Sequence, residues 1–316
     1  MQLIRDLRRL PDEFRGGAVS IGNFDGVHRG HARIVERLLA RAEEVQGPAV
    51  VFTFDPHPAT LVRPHAVPPP LCSTERKARL LEQLGLDAMI AYPTDRALLT
   101  LKAGEFFERI VRGQLAARAV VEGPNFFFGH NREGNIELLA ELCRRDGIVL
   151  EVVEPIEVDG EAVSSSRIRQ WIRQGAVDPA RALLTEPYRI RGEVVRGSGR
   201  GARLGYPTAN LARIDTLVPG EGIYAGRAWV PERNAPFPAA ISVGANPTFD
   251  ESEPKVEPHL LGYRGSLYEQ PLEVDFLVRL REIVRFGSVD ELVAQMGRDV
   301  ESARRIADQY QRDDAA

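Results

Sequence analysis

Lysine is nearly absent from this chain of 316 residues, and cysteine is rarer still. Lys77, Lys102 and Lys255 are the three lysines among 41 basic side chains, and the chain contains no GxxxxGK[ST] phosphate loop. The two cysteines, Cys72 and Cys143, are too few for a disulfide framework or a cysteine-based zinc site. These absences exclude a Walker-type NTPase and a small disulfide-stapled protein.

A charge excess of one sign is also missing. The 41 basic and 45 acidic side chains give a formal charge of −4, so the charge balance favours neither nucleic acid nor an anionic membrane as a partner. No apolar run approaches membrane-spanning length, and the first residues lack the apolar stretch of a signal peptide. We therefore expect a cytoplasmic protein, a monomer or weak homo-oligomer, that binds small molecules and neither nucleic acid nor membranes.

The length of 316 residues predicts two domains, because a domain usually has roughly 100–200 residues. Up to about residue 184, β-rich runs alternate with helical patterns, which predicts a parallel sheet in an α/β, Rossmann-like domain. The predicted strands are residues 18–21, 49–54, 87–92, 119–121 and 149–153, and the predicted helices are residues 31–45, 74–84, 104–115, 133–145 and 165–174. Such sheets bind ligands at the carboxyl ends of their strands, near helix N-termini.

The pattern changes after about residue 184. Gly/Pro turns, and not helices, now separate the predicted strands, which are residues 188–196, 222–230, 238–243, 256–261 and 272–279. This pattern predicts a small antiparallel β-barrel, closed by a C-terminal helix at residues 288–312. The predicted domains are therefore residues 1–184 and 185–316.

The segment GNFDGVHRGH (residues 22–31) joins the first predicted strand to the first helix. Its glycines let the backbone approach a ligand, and a helix N-terminus favours anions, so polyphosphate is the expected ligand. The H-x-x-H spacing of His28 and His31 leaves three interpretations open: capping or core histidines, a zinc site, or a nucleotide-phosphate site. Hydrolytic zinc sites need a third ligand and a glutamate as in H-E-x-x-H, whereas Arg29 and Gly30 stand here.

A second segment suited to anions, SSSRIR (residues 164–169), begins a later predicted helix. Its hydroxyls and arginines can hold phosphate oxygens, although a serine run alone is most often a helix N-cap. Together the two segments resemble the H-x-G-H and I-S-S-T-x-x-R motifs with which the nucleotidyltransferase superfamily holds ATP. By that resemblance, His28 and His31 are catalytic and the ATP-binding residues are Gly22, Asn23, Phe24, Asp25, His28, His31, Ser164, Ser165 and Arg169.

Two further stretches, TFDPHP (residues 53–58) and EGPNFFFGHNREGN (residues 122–135), are similar to the FMN adenylyltransferase domain of bacterial bifunctional riboflavin kinase/FAD synthetases. The resemblance implies that Asn125 contributes to the flavin site. For His57, a place near the transfer centre and a turn locked between two prolines both stay open. The phenylalanines at 126–128 could offer a stacking face to a flavin, but core packing is the better interpretation for most of them.

The second domain contains its own glycine-rich segment, GSGRGARLGYPTAN (residues 197–210), directly after a predicted strand. Backbone amides in such a loop can surround phosphates without a lysine, although the glycines alone fit a plain hairpin loop better. Thr208 and Asn210 are hard oxygen donors, predicted on one face of a strand. They suit one edge of a Mg²⁺ ion that keeps water and ATP oxygens as its other ligands.

This segment resembles the riboflavin kinase signature around P-T-A-N, except that Ala202 stands where many members have arginine. GIYA (residues 222–225), VGANPT (residues 243–248), residues 256–268 and LEVDFLVRLR (residues 272–281) are further matches. By the resemblance, the residues that bind ATP here are Gly197, Gly199, Gly201, Thr208 and Asn210, the last two holding the metal. It also implies that Glu257 is the general base, whereas Gly262 replaces the family's usual aspartate.

The resemblance implies a two-step synthesis of a flavin cofactor. The barrel would phosphorylate riboflavin with MgATP to give FMN, and the α/β domain would adenylylate FMN with a second ATP to give FAD and pyrophosphate. Another adenylyltransferase of the superfamily with a non-catalytic barrel is an alternative, but it does not explain P-T-A-N together with Glu257. A catalytically silent flavin- or nucleotide-binding regulator is the other alternative.

Overall fold

The computed structural model describes residues 1–63, 65, 67–231, 233–245 and 254–313. Its contacts divide the chain into two compact units. The sheet unit comprises Met1–Pro68 and Ser73–Ser164, and the barrel unit comprises Pro69–Cys72 and Ser165–Ala316. In the described parts of both units, no helix is long and apolar enough to cross a membrane.

Six parallel strands form the core of the sheet unit. They are β1 (Gln2–Ile4), β2 (Ala18–Ile21), β3 (Ala49–Phe54), β4 (Ala88–Tyr92), β5 (Ala119–Glu122) and β6 (Val149–Val152), in the order β1-β4-β3-β2-β5-β6. The five predicted strands are confirmed, and β1 is an additional edge strand paired with β4. Since β2 lies between β3 and β5, the strand order reverses there, which is where such sheets bind ligands.

Two apolar clusters cover the two faces of this sheet. Val50 and Phe52 belong to one cluster and Ala49 and Val51 to the other, because successive side chains of a strand point to opposite faces. The helices are α1 (Arg29–Glu44), α2 (Ala59–Val62), α3 (Thr74–Gln83), α4 (Arg96–Leu99), α5 (Ala103–Phe106) and α6 (Ile136–Arg145). A hairpin of two strands with two residues each, β7 (Glu157–Val158) and β8 (Glu161–Ala162), follows the sheet.

Two predicted helices differ from the observed ones. The segment predicted as one helix at 104–115 is α5 followed by a π-helix, Phe107–Gln114, a change of hydrogen-bond register that apolar periodicity does not reveal. The helix predicted from residue 133 begins at Ile136, because the Asn135 side chain caps it by accepting a hydrogen bond from the Leu138 N–H at 3.0 Å.

The barrel unit contains a closed antiparallel barrel. Its strands are β9 (Tyr188–Val195), β10 (Asn210–Ala212), β11 (Gly222–Trp229), β12 (Phe237–Gly244), β13 (Lys255–Leu260) and β14 (Pro271–Arg281), joined in the order β10-β13-β12-β11-β14-β9. Its helices are α7 (Ser165–Arg173), α8 (Val177–Leu183), α9 (Arg200–Arg203) and the long C-terminal α10 (Val289–Asp313). An α/β unit followed by an antiparallel barrel and a C-terminal helix is the predicted fold class, which is therefore confirmed.

The closing strand of the barrel, β10, was not among the predicted barrel strands, although Thr208 and Asn210 were predicted to lie on one strand. It has three residues, too few to show an alternating pattern, and it pairs with both β9 and β13. Only Asn210 of the proposed metal pair lies in it, and Thr208 lies in the loop before it, so the prediction of both on one face of a strand is wrong. Residues 246–248 of the VGANPT match lie outside the described residues.

Candidate active sites

The loop between β2 and α1 lies at the point where the strand order reverses. Phe24 and Val27 both have left-handed backbones, with φ of 46° and 41°, and Gly26 between them has a φ of 82°. For a β-branched residue such as Val27 this conformation is a true outlier. Strained backbone of this kind persists only where its surroundings hold it, and it concentrates at functional sites.

His28 and His31 cap the N-terminus of α1 reciprocally. The His31 N–H donates to His28 Nδ1 at 3.3 Å, and the His28 N–H donates to His31 Nδ1 at 3.4 Å. The two rings stack with centroids 3.6 Å apart. Since both Nδ1 atoms accept, each neutral ring carries its proton on Nε2, where it can be donated to an anion. The capping and phosphate interpretations of H-x-x-H are therefore compatible.

The glycine between the histidines has a steric role. A Cβ on Gly30 would lie 3.1 Å from His28 Nδ1 and 3.2 Å from its Cε1. A larger residue would press on the ring that caps the helix. The glycine of the H-x-G-H pattern thus leaves the space that the stacked His28 ring occupies.

Burial lowers the pKa of His31 well below 6.5, and His28 and then Lys77 lower it further. Lys77 is a buried residue of α3 that sequence analysis did not select as a site residue. Its Nζ donates to the carbonyl oxygen of Asn23 at 2.6 Å and to Thr53 Oγ1 at 3.2 Å. The only signal in the sequence was its rarity as a lysine.

The other predicted ATP-binding residues of this loop differ in their exposure to solvent. The side chains of Phe24 and Asp25 are buried, and the Phe24 ring packs on His31 with centroids 4.9 Å apart. Asn23 is exposed and Gly22 half-buried. His28 is buried and His31 is half-buried, so the more accessible parts of this loop are Gly22, Asn23 and His31.

The serine–arginine motif spans the division between the units. Ser164 belongs to the sheet unit, whereas Ser165 and Arg169 begin α7 of the barrel unit. Arg169 Nε donates to the Pro69 carbonyl oxygen at 3.1 Å. The helix itself is tied to its own unit, since the Gly220 N–H donates to the carbonyl oxygen of Ile172 in α7 at 2.9 Å.

The loop after β5 carries the predicted flavin residue. Asn125 is exposed at the carboxyl end of this strand, next to β2 in the sheet. Phe128 is in the core and Phe126 packs on it, which confirms core packing for these two. Phe127 is 46% exposed, and the Arg132 guanidinium lies 4.6 Å from its ring centroid.

Glu122, the last residue of β5, carries a buried carboxyl group. The Ile21 N–H of the neighbouring strand donates to its Oε1 at 2.5 Å, beyond the point where β2 and β5 pair through Ala18 and Val19. Burial raises the pKa of Glu122 well above 4.5, although this hydrogen bond opposes the shift. The carboxyl group therefore joins the two strands beyond their last paired residues.

Two other features of the sheet unit are His57 and an open cavity. His57 Nδ1 accepts a hydrogen bond from the Ala59 N–H, the first of α2, at 3.0 Å, which agrees with its interpretation as a turn residue. An open cavity lies around the beginning of α5, and the two imidazoles are not among the residues that line it, which include Lys102, Glu105 and Arg109.

A cavity of about 130 Å³ lies between the barrel and its C-terminal helix. Gly201, Thr208 and Glu257 line one side of it, and α10 contributes Leu292 and Met296 among others. Glu257 is on β13, which pairs with β10 through Val256 and Leu211. The Ala209 N–H also donates to the Pro258 carbonyl oxygen at 2.9 Å. The fold thus brings the predicted general base next to the P-T-A-N edge.

The glycines of this loop pack on the two predicted metal ligands. A Cβ on Gly197 would lie 2.7 Å from Asn210 Cγ, and a Cβ on Gly201 would lie 3.2 Å from Thr208 Oγ1. A side chain at position 197 would displace the Asn210 amide, and one at position 201 would first meet the Tyr206 carbonyl oxygen at 2.4 Å. Gly199 has a left-handed φ of 68° and nothing within 4 Å of a Cβ, so it serves the turn alone.

Three residues that line the cavity, His259, Arg281 and Asp299, were not predicted as site residues from the sequence. His259, two residues beyond Glu257 on the same strand, has its Nδ1 2.7 Å from the Pro207 carbonyl oxygen. Arg281 at the end of β14 pairs with Asp299 of α10 at 2.7 Å and ties the helix to the barrel. Period-2 spacing from Glu257 was a usable signal for His259. The ion pair joins distant parts of the chain and leaves no local pattern.

The two departures from the kinase signature, Ala202 and Gly262, are both exposed. Ala202 lies in α9 beside Arg203, whose Nη2 donates to the Ser198 carbonyl oxygen at 3.5 Å. Gly262 follows β13 with a left-handed φ of 82°, a conformation that suits glycine better than aspartate.

A family model described as FAD synthetase matches residues 10–167, and one described as riboflavin kinase matches residues 184–307. The protein of Pseudomonas fluorescens named bifunctional riboflavin kinase/FMN adenylyltransferase is 35% identical over 314 residues, which cover 97% of this chain and 98% of that protein. A protein of the same name from Escherichia coli (strain K12) is 32% identical over 307 residues, with 97% and 98% covered.

A solved structure from Streptococcus pneumoniae, described as a macrolide-efflux protein, superposes with a TM-score of 0.84 at 30% identity and covers 96% of this chain and 98% of its own. That name describes transport, whereas both family models and the curated relatives name flavin enzymes. The likeness to these relatives extends over nearly the whole chain and includes both units. The chain therefore belongs to the bifunctional riboflavin kinase/FMN adenylyltransferase family.

Proposed function

We propose that the chain makes FAD from riboflavin in two ATP-dependent steps, with FMN formed in the barrel unit and FAD in the sheet unit. The observation that carries this proposal is the pair of unlike phosphate-binding constellations: stacked histidines on a strained loop in one unit, and Glu257 beside a glycine loop in the other. The names of the relatives supply the two activities.

In the barrel, the 5′-hydroxyl of riboflavin attacks the γ-phosphorus of ATP. Its oxygen forms a new bond to phosphorus, the bond from phosphorus to the β–γ bridging oxygen breaks, and ADP leaves. Glu257 accepts the hydroxyl proton, a contribution of about 10²–10⁴-fold in rate for a positioned base. The glycine loop holds the phosphates through backbone N–H groups.

A Mg²⁺ ion fits the donors at this edge of the barrel. Thr208 and Asn210 offer uncharged oxygens that the glycine loop packs against, and Mg²⁺ usually takes few protein ligands and keeps water and phosphate oxygens. In the described ranges, no group of three or more His, Cys, Asp or Glu side chains could hold a metal ion by itself. When bound, the ion neutralises the charge of the transferred phosphate.

In the sheet unit, a phosphate oxygen of FMN attacks the α-phosphorus of a second ATP. The bond from this phosphorus to the α–β bridging oxygen breaks, and pyrophosphate leaves without a covalent enzyme intermediate. The Nε2–H groups of His28 and His31 and the first turn of α1 stabilise the charge on the phosphates. Ser164, Ser165 and Arg169 complete the ATP contacts and Asn125 holds the flavin, as the family resemblance implies.

The functional limits that we propose are residues 1–184 for adenylyl transfer and residues 185–316 for the kinase. The riboflavin kinase family model, which begins at residue 184, supports this division. Cys72 and Cys143 are buried free thiols, which suits a reducing compartment. We accordingly propose a cytoplasmic enzyme that is a monomer or weak homo-oligomer.

The experiment is incubation of the full chain with riboflavin, ATP and Mg²⁺, with flavins followed by chromatography. We expect FMN and then FAD, and no product when EDTA removes the metal. FAD formed from supplied FMN but not from riboflavin would mean an inactive kinase. Neither product would favour a silent flavin- or nucleotide-binding regulator.

A further inference from the structure

Lys77 occupies an unusual position for a lysine. It is 7% exposed, and its ammonium group donates to two uncharged oxygens, the Asn23 carbonyl and the Thr53 hydroxyl, at 2.6 Å and 3.2 Å. The Thr53 hydroxyl itself donates to the same carbonyl at 3.1 Å. In the part of the chain that the structure describes, no carboxylate forms an ion pair with Lys77. Burying a charged group without a counter-ion is costly, so the position calls for a functional explanation.

The first consequence concerns the phosphate loop. Asn23 immediately precedes Phe24, the first left-handed residue of the loop, and its carbonyl oxygen is held by both Lys77 and Thr53. Left-handed backbone at Phe24 and Val27 requires such constraint from neighbouring elements. Lys77 on α3 and Thr53 on β3 thereby fix the start of a loop that belongs to neither element.

The second consequence concerns the charge state of the histidines. The titratable and charged groups that act on His31 are His28 at the same helix end and Lys77 on α3. Burial, His28 and Lys77 all lower the pKa of His31. A protonated His31 would carry a proton on Nδ1 and could no longer accept the His28 N–H.

We propose that Lys77 is a positioning residue of the adenylyl-transfer site, which fixes the phosphate loop through the Asn23 carbonyl oxygen and thereby the histidine pair that follows this loop. The inference rests on the proposed function, since it takes the histidine pair as the place of adenylyl transfer. Lys77 acts through Asn23 and His31 and does not itself contact the reacting atoms.

Three substitutions separate the two roles of the ammonium group. Lys77→Met removes the donor and the charge, Lys77→Gln keeps a donor without charge, and Lys77→Arg keeps both. Lys102→Met is the matched control, because Lys102 is an exposed lysine of the same unit. The initial measurement is kcat/KM for FAD formation from supplied FMN and ATP, as a function of pH.

We expect Lys77→Met to lower kcat/KM for FAD formation about 100-fold, the usual cost of misplacing a reacting group by about 1 Å. Loss of the nearby charge raises the pKa of His31, so the acid limb of the pH profile moves to higher pH in both Lys77→Met and Lys77→Gln. Lys77→Arg should leave the limb in place and restore part of the rate. Lys102→Met should match the unchanged protein.

A second measurement does not depend on activity. The chain has six histidines, so NMR titration of the labelled imidazoles gives the pKa of His31 directly in each variant. We expect His31 to titrate at higher pH in Lys77→Met and Lys77→Gln than in the unchanged chain. Unaltered His57 and His130 signals report that the sheet unit is folded.

Two results would overturn the inference. One is an unchanged rate in Lys77→Met, and the other is a slower enzyme whose acid limb and His31 titration both stay in place, which would leave Lys77 a structural role only. If the unchanged chain made no FAD, the proposed function would fail, yet the His31 titration would still decide whether Lys77 controls its charge.

Discussion

The two units prepare a phosphate site in opposite ways. The sheet unit uses a strained loop in which Phe24 and Val27 have left-handed backbone, and side chains of neighbouring elements hold the carbonyl oxygen of Asn23 at its start. The barrel unit uses glycines, which allow the backbone to close around Thr208 and Asn210 without strain in larger residues. The first site depends on remote contacts, and the second depends on space within its own loop.

This difference determines what each site tolerates. We expect the glycine loop of the barrel unit to lose its phosphate site when a side chain is added to one of its glycines. We expect the β2–α1 loop of the sheet unit to lose its conformation when a residue outside the loop that holds it, such as Lys77, is replaced. Charge also acts differently, since neutral histidines serve the sheet unit and a carboxylate serves the barrel. The following variants test this contrast in order of decreasing expected effect.

The largest effect is expected for Glu257→Gln. Without the base that accepts the hydroxyl proton, FMN formation should fall by about 10²–10⁴-fold, while FAD formation from supplied FMN stays unchanged. Rates of both half-reactions by flavin chromatography check this, with the exposed Glu269→Gln as the control in the same unit. An undiminished kinase rate would remove Glu257 from its role.

The reverse pattern is expected when His28 and His31 are both replaced by alanine. Loss of their phosphate donors should reduce FAD formation by about 10²–10³-fold and leave FMN formation intact. Replacement of the exposed His130 by alanine is the control. If both half-reactions disappeared in a protein with an unchanged circular dichroism spectrum, the assignment of separate sites would be wrong.

A smaller effect is expected for Gly197→Ala. The added Cβ would lie 2.7 Å from Asn210 Cγ, so we expect the kinase rate to fall on the order of 10- to 100-fold, together with a weaker response to Mg²⁺. Gly262→Asn is the control, because a Cβ there meets nothing within 4 Å and asparagine tolerates left-handed backbone. A normal rate at every Mg²⁺ concentration would show that Asn210 does not need this space.

Much of this contrast follows from the sequence. Motif order and β-rich runs predicted the parallel sheet, the antiparallel barrel and the placement of His28 and His31 at a helix N-terminus, whereas Thr208 was wrongly predicted on a strand. The features that the sequence did not predict are a short strand and contacts between residues that are far apart in the chain. The strand β10 has three residues, Lys77 contacts Asn23 only in the folded unit, and the buried Glu122 carboxyl group contacts Ile21, which is 101 residues away in the chain.

The smallest effect concerns the stability of the sheet unit and its pH dependence. The folded-state pKa of Glu122 is raised above the ordinary 4.5. The stability that its protonated carboxyl group contributes to the folded state is therefore complete below pH 4.5, and it is lost as pH rises through the folded-state pKa. Glu122→Gln keeps the acceptor for the Ile21 N–H and cannot ionise. Its melting temperature should therefore exceed that of the unchanged chain by about 2–4 °C at pH 8 and by less at pH 5.

Differential scanning calorimetry across this pH range measures the difference. A Glu122→Gln curve parallel to that of the unchanged chain would mean that the carboxyl group does not hold a proton in the folded state. The exposed Glu141→Gln, past the first turn of α6 in the same unit, controls for loss of a surface charge.

The central claim is that one chain contains two independent sites that act in sequence on the same flavin. Mixing the Glu257→Gln protein with the His28→Ala/His31→Ala protein tests it most directly, with riboflavin, ATP and Mg²⁺ supplied and FAD measured by chromatography. Each variant alone should make almost no FAD, and the mixture should make it readily, because FMN released by one protein reaches the intact sheet unit of the other. A mixture that stays as inactive as its parts would contradict the account.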